Sequence, residues 1–194
     1  MEERSLGKTG LRVTALGYGA MELRHMSDEA EVARLLNEVL DSGIRFIDTS
    51  PDYGLSEAYI GRVLAGRRQE YVLATKCGCV VDAAGNGQGP GHVWTAEQLE
   101  ANLDDSLRLL RTDVIDLWQL HGTPPEALPG GPDDSVIAAL QAAKAKGKVR
   151  AIGISFINRS ANDPWYPAEY SYRHIQEYLS WGVFDTMQTV YGGL

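Results

Sequence analysis

Short apolar, β-branched runs alternate along this chain with amphipathic segments of helical period, and most of those segments stop at a glycine. Val32, Leu35, Leu36, Val39 and Leu40 repeat at helical spacing, with Ser27 read as N-cap, Asp28 and Glu29 in the first turn and Gly43 as the stop. A strand is expected over residues 44–49, a short helix over 57–65 capped by Ser56, and a strand over 71–76. Thr95 and Gln98 form a capping box before a helix whose apolar face carries Leu99, Leu103, Leu107 and Leu110. A strand over 114–121, a helix over 134–146, a strand over 149–155, a helix over 170–181 and a strand over 184–190 follow. With a strand over 13–19 the pattern gives six strands and five intervening helices. Near-continuous apolar strands separated by amphipathic helices imply a parallel sheet covered by helices and built from right-handed crossovers.

Two architectures satisfy that pattern, the doubly wound sheet and the (β/α)8 barrel. The segment Gly17-Tyr18-Gly19-Ala20-Met21 lacks the third glycine of a dinucleotide-binding turn and opens no helix, so the barrel is preferred. A complete barrel has eight βα units and about 250 residues. The 194 residues here supply about six, read as a single barrel domain over 1–194, preceded by a β-hairpin on Gly7-Lys8-Thr9-Gly10. Six strands of an eight-stranded ring leave two open edges, which are the expected place for self-association.

Composition narrows the function classes. Eighteen Lys and Arg against 26 Asp and Glu give a net charge of -8, which argues against a nucleic-acid surface. No stretch approaches the roughly 20 apolar residues of a membrane helix, and the N-terminal Met1-Glu2-Glu3-Arg4-Ser5-Leu6 carries acids without an apolar core, so a cytoplasmic protein is expected. Cys77 and Cys79 are too few for a disulfide framework or a zinc set, and His25, His92 and His174 show no metal-ligand spacing with one another. No metal is expected. The glycine-rich residues 84–91 are read as a mobile loop, because no helix opens from them and no P-loop lysine follows. The aromatic loop 162–167 follows a strand end, where it either walls a substrate site or covers core. The cations Lys144, Lys146, Lys148 and Arg150 sit where they complement a helix C-terminus.

Three strand-end positions carry chemistry. Asp48, Lys76 and His121 each close an apolar run, and Tyr53 lies in the turn just past the first, at the end of a barrel where reactive groups collect. A phenol with a pKa near 10 is a weak acid at neutral pH, and a neighbouring ammonium stabilises its phenolate. Lys76 is the candidate ammonium, Asp48 the carboxylate that holds it, and His121 a donor to a substrate oxygen that gains charge. The set suits protonation of a carbonyl oxygen during reduction. Taken singly, each residue also has an ordinary role, as a turn cap, a semi-core hydrogen-bonding group or a surface ion pair.

In order and spacing, Asp48, Tyr53, Lys76 and His121 resemble the catalytic tetrad of the aldo-keto reductases. The resemblance runs along nearly the whole chain, including the Gly-Lys-Thr-Gly hairpin, the run 111–117 leading to His121, Gly153-Ile154-Ser155 and Gln188. It implies NADPH-dependent reduction of a small aldehyde or ketone, with Tyr53 as proton donor, Lys76 and Asp48 tuning it, and His121 orienting the carbonyl. It also implies that Asp48, Ser155 and Gln188 lie beside the nicotinamide half of NADPH, and that the chemistry needs no metal. The family's aromatic stack on nicotinamide and its basic phosphate loops belong to two further units that do not appear in this sequence. The family usually has Asn after the serine matched by Ser155, where this chain has Phe156, with Asn158 nearby. Two rival classes stay open: a binding or regulatory protein that keeps the partial fold without activity, and a barrel lyase or isomerase using Lys76 as a Schiff-base nucleophile.

Overall fold

The computed structural model describes residues 1–83, 85–156 and 168–189. The chain opens with an antiparallel hairpin of β1 (Glu3–Ser5) and β2 (Arg12–Thr14), turning through Gly7 and Gly10, both at positive φ. The expected first strand is therefore divided. Its first half belongs to the hairpin, and only β3 (Tyr18–Gly19) joins the main sheet. Helix α1 (Glu29–Asp41) follows, then β4 (Phe46–Asp48), α2 (Ser56–Val63), β5 (Val72–Cys77), the hairpin strands β6 (Cys79–Val81) and β7 (Gly87–His92), α3 (Ala96–Leu109), β8 (Ile115–His121), α4 (Ser135–Ala145), β9 (Val149–Ser155), α5 (Ala168–Trp181) and β10 (Thr186–Gln188).

Six strands form one parallel sheet in the order β3-β4-β5-β8-β9-β10. Each neighbour is the next strand of that sheet along the chain, so the winding never reverses. With right-handed crossovers, all connecting helices must then lie on one face, as in a barrel and unlike a doubly wound sheet. The sheet also curls. Gln188 Nε2 on β10 lies 3.3 Å from Asp48 Oδ2 on β4, four ladders away, where a flat sheet would hold the strands about 19 Å apart. The fold is a partial (β/α)8-type barrel, six strands of the ring with an N-terminal hairpin.

Alternation along each strand divides the core in two. Ile47, Leu73, Trp118, Leu120, Ile152 and Ile154 face outward onto the helices, meeting Val32, Leu36, Leu40, Ile60, Leu99, Leu103, Ile137 and Leu140. A smaller inner cluster of Leu11, Ala74, Leu117 and Ala151, with Leu6, Phe46 and Val72 packed against it, places hairpin residues at the base of the barrel interior. The next inward positions up the strands are polar: Asp48, Lys76, Gln119 and Gln188. An apolar floor thus lies beneath a polar layer, and the site stands on that layer.

Several helix ends differ from the sequence expectation. Asp28, not Ser27, caps α1, its carboxylate accepting from Ala30 N at 2.8 Å. Ser56 does not cap α2; its hydroxyl lies 2.8 Å from Thr49 Oγ1 and donates to Ala20 O, so it has become a buried link between helix and sheet. Thr95 caps α3 as expected, but Gln98 leaves the capping box to donate its amide to Cys79 O at 2.8 Å. Lys144 and Arg150 are engaged with Asp185 and Asp116. Residues 157–167, including Asn158 and the loop 162–167, and 190–194 lie outside the described residues. No helix among those described is long and apolar enough to cross a membrane.

Candidate active site

A cleft of about 540 Å³ opens at the C-terminal end of the sheet, lined by Met21, Arg24, Asp48, Asp52, Tyr53, Lys76, His92, His121, Ser155, Phe156, Gln188 and Thr189. Asp48, Lys76, His121, Ser155 and Gln188 reach it from the last or penultimate residues of their strands. A second cleft of equal volume, lined by Arg12, Arg45, Arg68 and Arg150 among others, includes Tyr71 and Val114 just before β5 and β8 and so lies at the opposite end. That end of such barrels serves stability. Its ion pairs fit that role: buried Asp116 accepts from Arg68 at 2.7 Å, from the Leu73 amide at 2.8 Å and from Arg150 at 2.9 Å.

Lys76 organises the active end. Its side chain is 2% exposed, and Nζ donates to Asp48 Oδ2 at 2.8 Å and to the Thr49 carbonyl at 2.9 Å. Burial works to lower its pKa, but the Asp48 carboxylate and the Tyr53 hydroxyl outweigh burial and hold it above the ordinary lysine value. Lys76 is thus a fixed ammonium. Tyr53 stands directly against it, with Nζ 5.0 Å from the ring centroid.

The Tyr53 pKa does not fall as the sequence suggests. Burial raises it, Lys76 pulls it down, and the carboxylates of Asp48 and Asp52 push it up again, leaving it above 10. The physical reason is that desolvating a phenolate outweighs one ammonium already shared with Asp48. The ring of His121 crosses that of Tyr53 edge-on, with centroids 6.2 Å apart. Burial, with smaller contributions from Lys76 and His92, drives the His121 pKa down to about 4 against the pull of Asp52, so the ring is neutral at physiological pH. Its Nδ1 lies 3.4 Å from both Ser50 Oγ and Cys79 Sγ.

Asp48, Tyr53, Lys76 and His121, drawn from three strand ends and one turn between residues 48 and 121, are therefore brought together around one cleft, and Ser155 and Gln188 line the same space. Gln119 is a member that sequence reasoning missed. Its amide donates to Asp48 Oδ1 at 3.3 Å and to Gln188 Oε1 at 3.2 Å, closing a network with the Gln188 to Asp48 hydrogen bond. The signal was present, since Gln119 is two residues before His121 on β8 and shares its face. Asp52 was also passed over, although it sits beside Tyr53 in the same turn.

The glycine-rich residues after β6 are a hairpin arm, which corrects the mobile-loop expectation. The Asp82 carboxylate accepts from Asn86 N, Gly85 turns at positive φ, and Asn86 bridges to Tyr53 while Gly54 N donates to Gly85 O at 3.0 Å. Its glycines carry no alternating side-chain pattern from which strands are read. The arm braces the Tyr53 turn. At the departure noted after Ser155, Phe156 is buried, packs against Tyr178 and donates its backbone N–H to Gln188 O at 2.8 Å.

A family model described as the aldo/keto reductase family matches residues 15–163. The chain is 36% identical over 163 residues to L-galactose dehydrogenase of Arabidopsis thaliana, covering 80% of this chain and 48% of that protein. It is 30% identical over 198 residues to the NADH-specific methylglyoxal reductase of Escherichia coli, covering 96% of this chain and 56% of that protein. Among solved structures, the holo form of an aldo-keto reductase from Bacillus halodurans superposes with a TM-score of 0.80 at 35% identity, over 98% of this chain and 58% of that one. The chain spans about half the length of the curated relatives it matches. On its sequence, its strand order and these likenesses, the chain belongs to the aldo/keto reductase family.

Proposed function

We propose that this chain carries the site for NADPH-dependent reduction of a small aldehyde or ketone, with Tyr53 as the proton donor. The observation that carries the reading is the Tyr53–Lys76–Asp48 grouping at the cleft, with Lys76 almost fully buried. A phenol held above pKa 10 stays protonated at neutral pH and so retains the proton to give. Proton transfer to a carbonyl oxygen leaves phenolate facing the Lys76 ammonium, which stabilises that charge where it forms. Asp48 keeps the ammonium charged and pointed. A neutral His121 suits a donor to the carbonyl oxygen; with the Cys79 thiol donating to Nδ1, the ring proton resides on Nε2.

The residues present fit a nicotinamide. Asp48, Gln119 and Gln188 set amide and carboxylate groups beside one another in the polar layer, and Ser155 adds a hydroxyl at the cleft, a donor and acceptor set that matches a carboxamide and ribose. The nicotinamide would supply the hydride. The NADP assignment follows the family resemblance; a relative with an NADH-specific name makes a side-by-side comparison necessary.

A Schiff-base role for Lys76 is disfavoured, because that chemistry needs a free amine and Lys76 is held as ammonium by Asp48. The edges of β3 and β10, each paired on one side only among the described residues, are where a second copy would add. Titration of the folded chain with NADPH and with NADH, followed by nicotinamide fluorescence, tests the reading. Saturable binding weakened by Gln188→Ala supports it. Absence of binding by a folded chain, or borohydride-dependent labelling of Lys76 by a carbonyl compound, contradicts it.

A further inference from the structure

Beside the Tyr53–Lys76–Asp48 grouping, four other donors converge: the Asp52 carboxylate, the Cys79 thiol and the rings of His92 and His121. Their ligating atoms all lie within 4.8 Å of one another. Cys79 Sγ is 3.4 Å from His121 Nδ1, which is 3.6 Å from Asp52 Oδ2, which is 3.7 Å from His92 Nε2. A tetrahedral zinc ion with bonds of about 2.0–2.3 Å has ligand-to-ligand edges of roughly 3.3–3.8 Å. Three edges already fall in that range, and the others need to close by at most about 1 Å.

Fixed elements hold the donors. Cys79 and His92 face each other across the β6–β7 ladder. Asn102 and Gln98 on α3 clamp the Cys79 carbonyl at 3.1 and 2.8 Å, and Trp94 stacks parallel to His92. The second oxygen of Asp52 accepts from Ser50 Oγ, as a ligating carboxylate's free oxygen commonly does. His92 Nε2 is buried without a hydrogen bond among the described residues, a costly condition that a bound ion relieves.

We propose that Asp52, Cys79, His92 and His121 form a four-ligand tetrahedral site for a divalent ion of the zinc class. One sulfur, two imidazole nitrogens and one carboxylate oxygen favour zinc over calcium or magnesium, which take oxygen sets. Four protein ligands leave no open position, so the ion is held and does not itself activate water. Cys79 binds as thiolate and releases its proton to solvent. With the ion on Nδ1, the His121 Nε2–H stays available to a carbonyl oxygen, so a bound ion leaves that donor in place. That consequence rests on the proposed function; the site itself does not.

The test is titration of cobalt(II) into the reduced 194-residue chain, with each variant checked for fold by circular dichroism. The expected result is one equivalent bound, with the intense visible absorption of tetrahedral cobalt and a thiolate-to-cobalt charge-transfer band, both abolished by zinc. Cys79→Ser removes the charge-transfer band, and His92→Ala weakens binding at least about tenfold. Cys77→Ser leaves the spectrum unchanged, because its thiol points away to the Gln119 carbonyl. No saturable binding, or a pale six-coordinate spectrum indifferent to Cys79→Ser, overturns the site. A tetrahedral spectrum with carbonyl reduction abolished by zinc retains the site and overturns the availability of the Nε2–H donor.

Discussion

Lys76 Nζ and Asp48 Oδ2 lie 2.8 Å apart at the top of adjacent parallel strands, with the lysine side chain almost wholly out of water. A buried pair of this kind is worth little against an apolar replacement, yet it is expensive to break on one side. Asp48→Ala therefore lowers stability by about 3–5 kcal/mol, measured by urea unfolding, because the ammonium is left unpaired. Combining it with Lys76→Met returns most of that loss. A double variant as unstable as Asp48→Ala alone would mean that the pair does not carry the cost.

Lys76 opposes the burial that raises the Tyr53 pKa. Replacing it by methionine moves the phenol titration further upward, read by ultraviolet difference absorption against a Tyr53→Phe control. An unchanged or lowered titration would separate the two side chains electrostatically.

Glu57 supplies the pH dependence. Its carboxyl is fully buried beneath β5 and accepts from Thr75 Oγ1 at 2.6 Å, while burial, against that hydrogen bond, raises its pKa to about 7. The folded value is above the unfolded one, so its contribution is fully present below pH about 4.5 and declines as pH rises to about 7. The loss is on the order of 3 kcal/mol. Glu57→Gln flattens this part of the stability profile and makes the protein more stable than wild type at pH 8. Parallel profiles for the two proteins would remove Glu57 as the source.

Gly61 on α2 marks a close helix contact. A Cβ there would meet the backbone of Leu109 and Leu110 at the end of α3, with Leu110 Cα at 2.7 Å. Alanine normally gains about 1 kcal/mol over glycine in a helix. Here Gly61→Ala destabilises instead, by about 1–3 kcal/mol, because neither backbone can move aside cheaply. A stabilised variant in thermal unfolding would show that the helices separate without penalty.

Most of the parallel strands and the five helices were legible because apolar runs such as 149–155 alternate with helices carrying a 3.6-residue stripe, as Leu99, Leu103 and Leu107 do on α3; the first strand was not, because its expected span divides between hairpin and sheet. The grouping of Asp48, Tyr53, Lys76 and His121 was legible because parallel strands bring successive C-terminal ends side by side. What escaped depends on contacts between distant segments. Ser56 and Gln98 carry capping signals but bond elsewhere, to Thr49 and to the Cys79 carbonyl. The β6–β7 arm is glycine-rich and carries no hydrophobic alternation, so neither its strands nor the meeting of Cys79 with His92 could be read from spacing.

Aldehyde-dependent oxidation of NADPH, followed by loss of nicotinamide absorbance, for the wild-type chain and for Tyr53→Phe tests the proton-donor role of Tyr53. Turnover by wild type is expected, with a loss of about 10²–10⁴-fold in Tyr53→Phe and nucleotide binding retained. Equal rates in the two proteins, or nucleotide binding by wild type with no carbonyl reduction across a panel of small aldehydes and ketones, would contradict it.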